Sequence, residues 1–288
     1  MKFGISDVFD CIEISFDRKK IVFQLIGTAI AVGAAFLGVW LGSLSSNGII
    51  ASAAQLIGFV VAFLSMIVTL TAVSRMSYKE LTVGEKLSAK EALAFCKKNI
   101  SSIIITPLLV VLAAVLLLAA EYLVFLLGRF AIGQIFISLF SGPVLLINAL
   151  IVLLLTMGIF VMYPIIAVDE SGPVKTLRKM FAVITSAPMQ VLMSSSLATI
   201  IIVPVIASLA GLLSVANITT ITLFGAASGI FAEMAATEIP SIATPTYIAW
   251  GIFVFSLVAL SGAILSFSLV YVKTTAVSIY MNIKGRIK

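Results

Sequence analysis

The chain has 288 residues, of which 61% are hydrophobic and 10% charged, with a mean hydropathy of +1.24 and a formal net charge of +6. Soluble domains run at roughly 45–50% apolar and about 25% charged, so a water-soluble globule is excluded and a polytopic membrane protein is expected. The absence of histidine removes the commonest general base and metal ligand, and Cys11 and Cys96 lack the paired spacing of a metal or redox motif.

Around residues 5–20, Ile5, Val8, Ile12 and Phe16 fall on one helical face and Asp10, Glu13 and Asp17 on the other. This predicts an amphipathic helix. The first apolar run begins only at Ile21 and is longer than the about 7–15 residues of a signal-peptide core, so an uncleaved first span is expected. A crossing needs about 20 apolar residues. Six stretches qualify, roughly 21–42, 49–73, 103–127, 143–168, 190–213 and 247–272.

In the first two spans, small residues recur every four positions: Gly27, Ala31 and Ala35; Ala34, Gly38 and Gly42; Ala54, Gly58 and Ala62. Such ridges let helices approach closely, so Gly38 and Gly58 are candidate interface residues. Gly42, nearer the outer surface, is expected to tolerate a larger side chain better. Before the third span, Ser88 and Glu91 have capping-box spacing and open SAKEALAFCKKN.

Glu121 lies near the outer end of the third span, beside Tyr122, with Arg129 two turns on as its possible partner. An interfacial role and a polar pathway are both open for this pair. Gly142-Pro143 is expected to break the chain after a short half-helix. The fourth span ends in AVDESGPVKTLRKMFAVITSAP. Gly172 suits an N-cap and Pro173 the first helical position. Val174, Leu177, Phe181 and Ile184 then make one apolar stripe, with Lys175, Arg178 and Lys179 off it. Asp169 reads as a charge near that helix's N-terminus. Across residues 214–246, Glu233, Glu238 and Pro240 interrupt the hydropathy, and an interfacial or re-entrant helix is expected.

Seventeen of the 18 basic residues fall before span one, between spans two and three, between four and five, or after six; the opposite loops hold only Arg129. The positive-inside rule then gives six spans with both termini cytoplasmic. The basic balance follows from this bias and implies no nucleic acid. The expected fold is all-α: a transmembrane helix bundle with amphipathic cytoplasmic elbow helices before spans one, three and five. The chain reads as one domain. Three units, 5–75, 76–168 and 169–283, are one reading; a loop helix made amphipathic by a nearby bilayer is the other.

The stretch YPIIAVDESGPVKTLRKMFAVI, through Pro164, Ala167, Asp169, Gly172, Pro173, Leu177 and Arg178, resembles a signature of six-helix bacterial and archaeal membrane proteins. These include the membrane domain attached to some glycerophosphodiester phosphodiesterases, and the YciC-like proteins. EKLSAKEALAFCKKN looks like a degenerate copy. The resemblance implies a membrane-embedded, non-catalytic module. This chain has no soluble phosphodiesterase domain, so no catalytic residue carries over.

No Walker A loop, dinucleotide fingerprint or serine-nucleophile elbow occurs. Polar residues inside the spans, among them Gln24, Ser65, Asn148, Thr156, Ser195 and Thr199, are expected to bond between helices or back to their own. The expected function is a non-enzymatic scaffold or accessory subunit of an inner-membrane assembly, without cofactor or metal. Its expected contacts are membrane lipids and protein partners, in a homo- or hetero-oligomer. The alternative is a transporter or permease subunit for a small or lipidic solute. A faint likeness of EALAFCKKNISSIIITP to a permease coupling loop, lacking its Gly, points that way.

Overall fold

The computed structural model describes residues 5–126, 131–204, 206–208 and 244–285, and among them there is no strand. The helices are α1 (Ile5–Ser15), α2 (Arg18–Ser43), α3 (Gly48–Val83), α4 (Ala89–Lys98), α5 (Ile100–Phe125), α6 (Ala131–Asp169), α7 (Pro173–Ser186), α8 (Pro188–Ser208) and α9 (Thr244–Lys284). Six of them, α2, α3, α5, α6, α8 and α9, are long and apolar enough to cross a membrane. The protein is an all-α polytopic helix bundle.

Short polar caps set the boundaries. The Asp17 carboxylate accepts from Lys19 N–H (3.0 Å) at the start of α2, and Asn47 Oδ1 accepts from Ile49 N–H (2.9 Å) at the start of α3. Gly84 ends α3 in the left-handed region, φ 72°, where a side chain is strained. The Ser88–Glu91 capping box forms as its spacing predicts, and Gly172 and Pro173 open α7 as N-cap and first helical residue.

Three helices make the centre. α3, α6 and α9 touch one another, while α2 packs on α3 and α9, and α5 on α6, α7 and α3. Within their apolar windows, 61% of α6 and of α9 is buried, against 33% for α3, 28% for α2, 24% for α8 and 22% for α5; α3 counts as inner by its contacts with both α6 and α9. The short helices follow one rule. Each seats mainly on the inner helix of another pair: α1 on α9, α4 on α3, α7 on α6.

Three apolar cores lie under these seats. Ile67, Met76, Phe95, Ile103 and Met162 fill the first; Val161, Ile165, Val183, Val191 and Ile279 the second; Cys11, Ala198, Ile202, Phe267 and Tyr271 the third. Towards the other end, α2, α3 and α5 present large exposed apolar side chains, Phe36, Trp40, Ile49, Leu56, Leu118 and Leu123 among them. In hydrocarbon such exposure carries no penalty, because lipid tails are as apolar as leucine.

Three expectations need correction. The chain does not break at Gly142-Pro143: α6 runs unbroken from Ala131 to Asp169 through Pro143 and Pro164. Proline removes one N–H and crowds the preceding turn, but membrane helices absorb this as a local adjustment. Second, α3 continues to Val83 and α9 to Lys284, about ten residues past the apolar runs, because the charges that end the hydropathy find partners instead of ending the helix. Third, α1 seats on more than the expected stripe: Ile12 packs against the third core and Phe16 meets the Phe267 ring at 4.6 Å, and Cys11 and Ser15 beside them are buried as well. Asp10 and Glu13 are exposed and make no ion pair among the described residues. The segment expected as an interfacial helix, with Glu233 and Glu238, lies outside the described residues apart from its last three positions, which begin α9.

Candidate functional site

The polar residues that close the inner helices form three ion-pair groups at the basic end of the bundle. In each, one carboxylate stands between two cations. Glu80 of α3 meets Lys20 of α2 and, at 3.9 Å, Lys86. Lys20 is 1% exposed and also donates to the Ile14 carbonyl at the end of α1 (3.1 Å). One ammonium therefore joins the elbow, the outer helix and the inner helix of the first hairpin.

Glu170 follows α6 with φ 50°, the left-handed position at a helix end where glycine is usual. Its N–H bonds the Ile166 carbonyl (3.1 Å). Its carboxylate takes Arg75 Nη2 at 2.9 Å and Lys98 Nζ at 3.1 Å. Arg75 also donates to the Ala167 carbonyl (2.7 Å) and lies over the rings of Phe95 (4.5 Å) and Tyr78 (5.5 Å). Glycine would relax the backbone here, but it would leave this partly buried guanidinium without its carboxylate. Ser102 Oγ donates to the Ser171 carbonyl (2.7 Å), and Ser171 bonds Thr176 (2.9 Å), fixing the turn from α6 into α7.

Asp169, the last residue of α6, is 3% exposed. It accepts from Lys179 Nζ (2.5 Å), the Tyr280 hydroxyl (2.6 Å) and Lys284 Nζ. Asp169 is therefore not a cap charge for α7, where Gly172 holds the capping position; it ties α6 to α7 and α9. Nearby, Lys273 is buried with its ammonium 4.5 Å from the Tyr163 ring, and Ser77 bonds Thr274 (2.8 Å) between α3 and α9.

Scans against models of protein families, curated proteins and solved structures each found no match for this chain. The site is therefore read from its own geometry.

The residues singled out in the sequence are dispersed. Gly38 and Gly58 face each other, and a Cβ on Gly38 would lie 2.8 Å from Gly58 Cα. Arg178 is exposed on α7 and makes no ion pair among the described residues. Glu121 accepts from Asn148 Nδ2 (2.6 Å) across α5 and α6, while Arg129, its expected partner, lies outside the described residues. Sequence reasoning missed Lys20, Glu80, Tyr280 and Lys284 as partners. Polar residues at helix ends were the one signal available for them, and it does not say which pairs with which.

Several polar groups within the spans behave as expected, while Gln24 Oε1 and the hydroxyls of Thr106, Tyr271 and Thr275 are buried without a hydrogen bond among the described residues. Ser65 Oγ donates to the Gly27 carbonyl across the α2–α3 contact (2.8 Å), and Thr156, Ser195 and Thr199 bond back within their own helices.

Two measurements test this end of the bundle. The Lys98 hydrogen bond, followed by the Arg75 charge, holds the Glu170 carboxyl below its ordinary 4.5. Folding depresses this group, so its contribution is complete above the unfolded value and drains away as pH falls through the folded one. Glu170→Gln should be less stable than the parent at neutral pH by under about 1 kcal/mol, the site being partly exposed. The two thermal-unfolding curves should converge in acid.

Burial pushes the Cys96 thiol up to about 12. Thiolate is the reactive form, so a neutral-pH maleimide should leave Cys96 unlabelled in the folded protein and label it on unfolding.

Proposed function

We propose that this chain is a non-enzymatic scaffold or accessory subunit of an inner-membrane assembly, with both termini cytoplasmic. The basic ion-paired end then faces the cytoplasm. The observation that supports it is how many of the described polar groups in the spans are used: they bond across helix contacts or back along their own helix, although Gln24 Oε1 and the hydroxyls of Thr106, Tyr271 and Thr275 are buried without such a bond, and the charges at the inner-helix ends clamp elbows to inner helices. Such a bundle offers rigid surfaces rather than an open polar path. Partners in the membrane, a second copy of the chain or a different protein, belong to the same proposal. So do the threefold unit division, which the cyclic seating of α1, α4 and α7 supports, and the likeness of residues 163–184 to the phosphodiesterase-associated membrane domain.

Purification in mild detergent with identification of co-purifying proteins tests the reading. A stoichiometric assembly is expected; a nucleotide-binding subunit in its place points to a permease and overturns it. Reporter fusions should place residue 288 inside, and an external C-terminus overturns the orientation.

One observation favours the transport reading for a lipidic solute. An apolar cavity of about 670 Å3, lined by Phe16, Ile21, Pro204, Ile264 and Phe267, opens between α1, α2, α8 and α9. Translocation of a fluorescent phospholipid by the reconstituted protein would decide for that reading.

A further inference from the structure

A second cavity, of about 170 Å3, lies where the end of α6 meets α7 and α9, lined by Asp169, Lys179, Ala182, Val183, Tyr280 and Lys284. Its charge is unbalanced. Asp169 is one negative charge, already met by Lys179, Lys284 and the Tyr280 hydroxyl. An ammonium has three donors and no acceptor, so each lysine keeps donors free after bonding Asp169. Their side chains are 43% and 49% exposed, so these donors are open to a ligand, and one positive charge is left over.

The surroundings extend the imbalance. On α7, Lys175 stands one turn before Lys179, with Arg178 next to it; both are exposed and neither makes an ion pair among the described residues. This group sits where the helices α6 and α9 themselves end, at Asp169 and Lys284, with Asp169 directly after the apolar run of α6. α7 also carries exposed Val174 and Phe181, the mixed surface of a helix lying in a membrane interface. The cavity is smaller than the about 300–1,000 Å3 of small-molecule pockets, a size for a headgroup rather than a whole solute.

We propose that this cavity binds a phosphate-bearing anion, as the headgroup of an anionic phospholipid in the leaflet at the basic end. Lys179 and Lys284 supply the donors, Asp169, itself fixed by the Tyr280 hydroxyl, holds the two ammonium groups in place, and Lys175 and Arg178 draw the anion to the rim. The recognised chemistry is a tetrahedral oxyanion, which free phosphate shares; the interfacial position and the apolar residues of α7 favour the lipid. The site is independent of whether the chain is a scaffold or a transporter.

The test uses the full chain in a neutral detergent, titrated separately with phosphatidylglycerol, phosphatidylcholine and inorganic phosphate, with thermal unfolding as the readout. Phosphatidylglycerol should raise Tm and phosphatidylcholine should not. Lys284→Gln leaves Asp169 with Lys179 and Tyr280, so folding should survive while the apparent affinity for phosphatidylglycerol falls roughly fivefold, the effect of one basic residue near an anionic surface. Asp169→Asn removes the negative charge among the described lining residues and should move the affinity the other way, even where it lowers Tm in detergent alone. Opposite shifts for the two variants separate anion binding from a purely structural role, which would lower both melting temperatures and leave the lipid response unchanged. A response to inorganic phosphate equal to that to phosphatidylglycerol, with the same variant pattern, identifies free phosphate as the source and overturns the lipid assignment. No response to either anion, or equal responses in the parent and both variants, overturns the site.

Discussion

Gly38→Leu is expected to force α2 and α3 apart and to lower the thermal stability of the detergent-solubilised protein sharply. A Cβ at position 38 would lie 2.8 Å from Gly58 Cα and 2.9 Å from the Ala54 carbonyl; one at position 58 would lie 2.6 Å from the Ala34 carbonyl. The obstacles are backbone atoms, so no rotamer change relieves them. Overpacking in a well-packed core costs about 1–3 kcal/mol and occasionally more, and a whole isobutyl group between two glycines belongs at the upper end. Gly33→Leu is the control, because nothing lies within 4 Å of its added Cβ. Equal melting of the two variants would mean that the glycines do not meet. The expectation that Gly42 tolerates change better is corrected by the same geometry: its Cβ would sit 2.9 Å from the Ala51 carbonyl and 3.1 Å from Gln55 Cγ. Proximity to the outer end gives no relief, since the helices remain close along the whole ridge.

Glu80→Ala should be comparably damaging for a different reason. It removes the carboxylate opposite Lys20, whose side chain is 1% exposed, and leaves the ammonium only the Ile14 carbonyl. Breaking a buried pair from one side costs about 3–5 kcal/mol, whereas replacing both members with apolar residues of similar volume is often neutral. Glu80→Ala should therefore melt well below the parent, and Lys20→Met/Glu80→Met should recover most of that loss in Tm. If the double variant melts no higher than Glu80→Ala, the loss came from packing around position 80 and not from a stranded charge.

These two sites differ in how far the sequence announced them. The glycine ridges are local patterns, four residues apart on one helix, and hydropathy plus spacing was enough to anticipate a close contact. The same holds for the Ser88–Glu91 box and the Gly172-Pro173 start, each a few residues long. The clamps are different. Arg75 meets Glu170 and Asp169 meets Lys284 across about a hundred residues, and every carboxylate at the basic end had several cations within plausible reach. Choosing among them requires the arrangement of α3, α6 and α9, which periodicity does not encode. Asp169 was legible as a charge at a helix boundary; its burial between Lys179, Tyr280 and Lys284 was not.

The seating of α1 on α9 also bears on how the chain is made. Cys11 packs in one core with Phe267 and Tyr271, so α1 finds its place against a helix that leaves the ribosome long after it. At about 5–20 residues per second, the first elbow waits on the order of tens of seconds before its seat exists. By contrast, the α2–α3 ridge can close as soon as both helices enter the bilayer. Nascent chains cut short before α9 should thus expose the thiol of Cys11 while Gly38 already lies against Gly58, making α1 the closing latch of assembly rather than its nucleus.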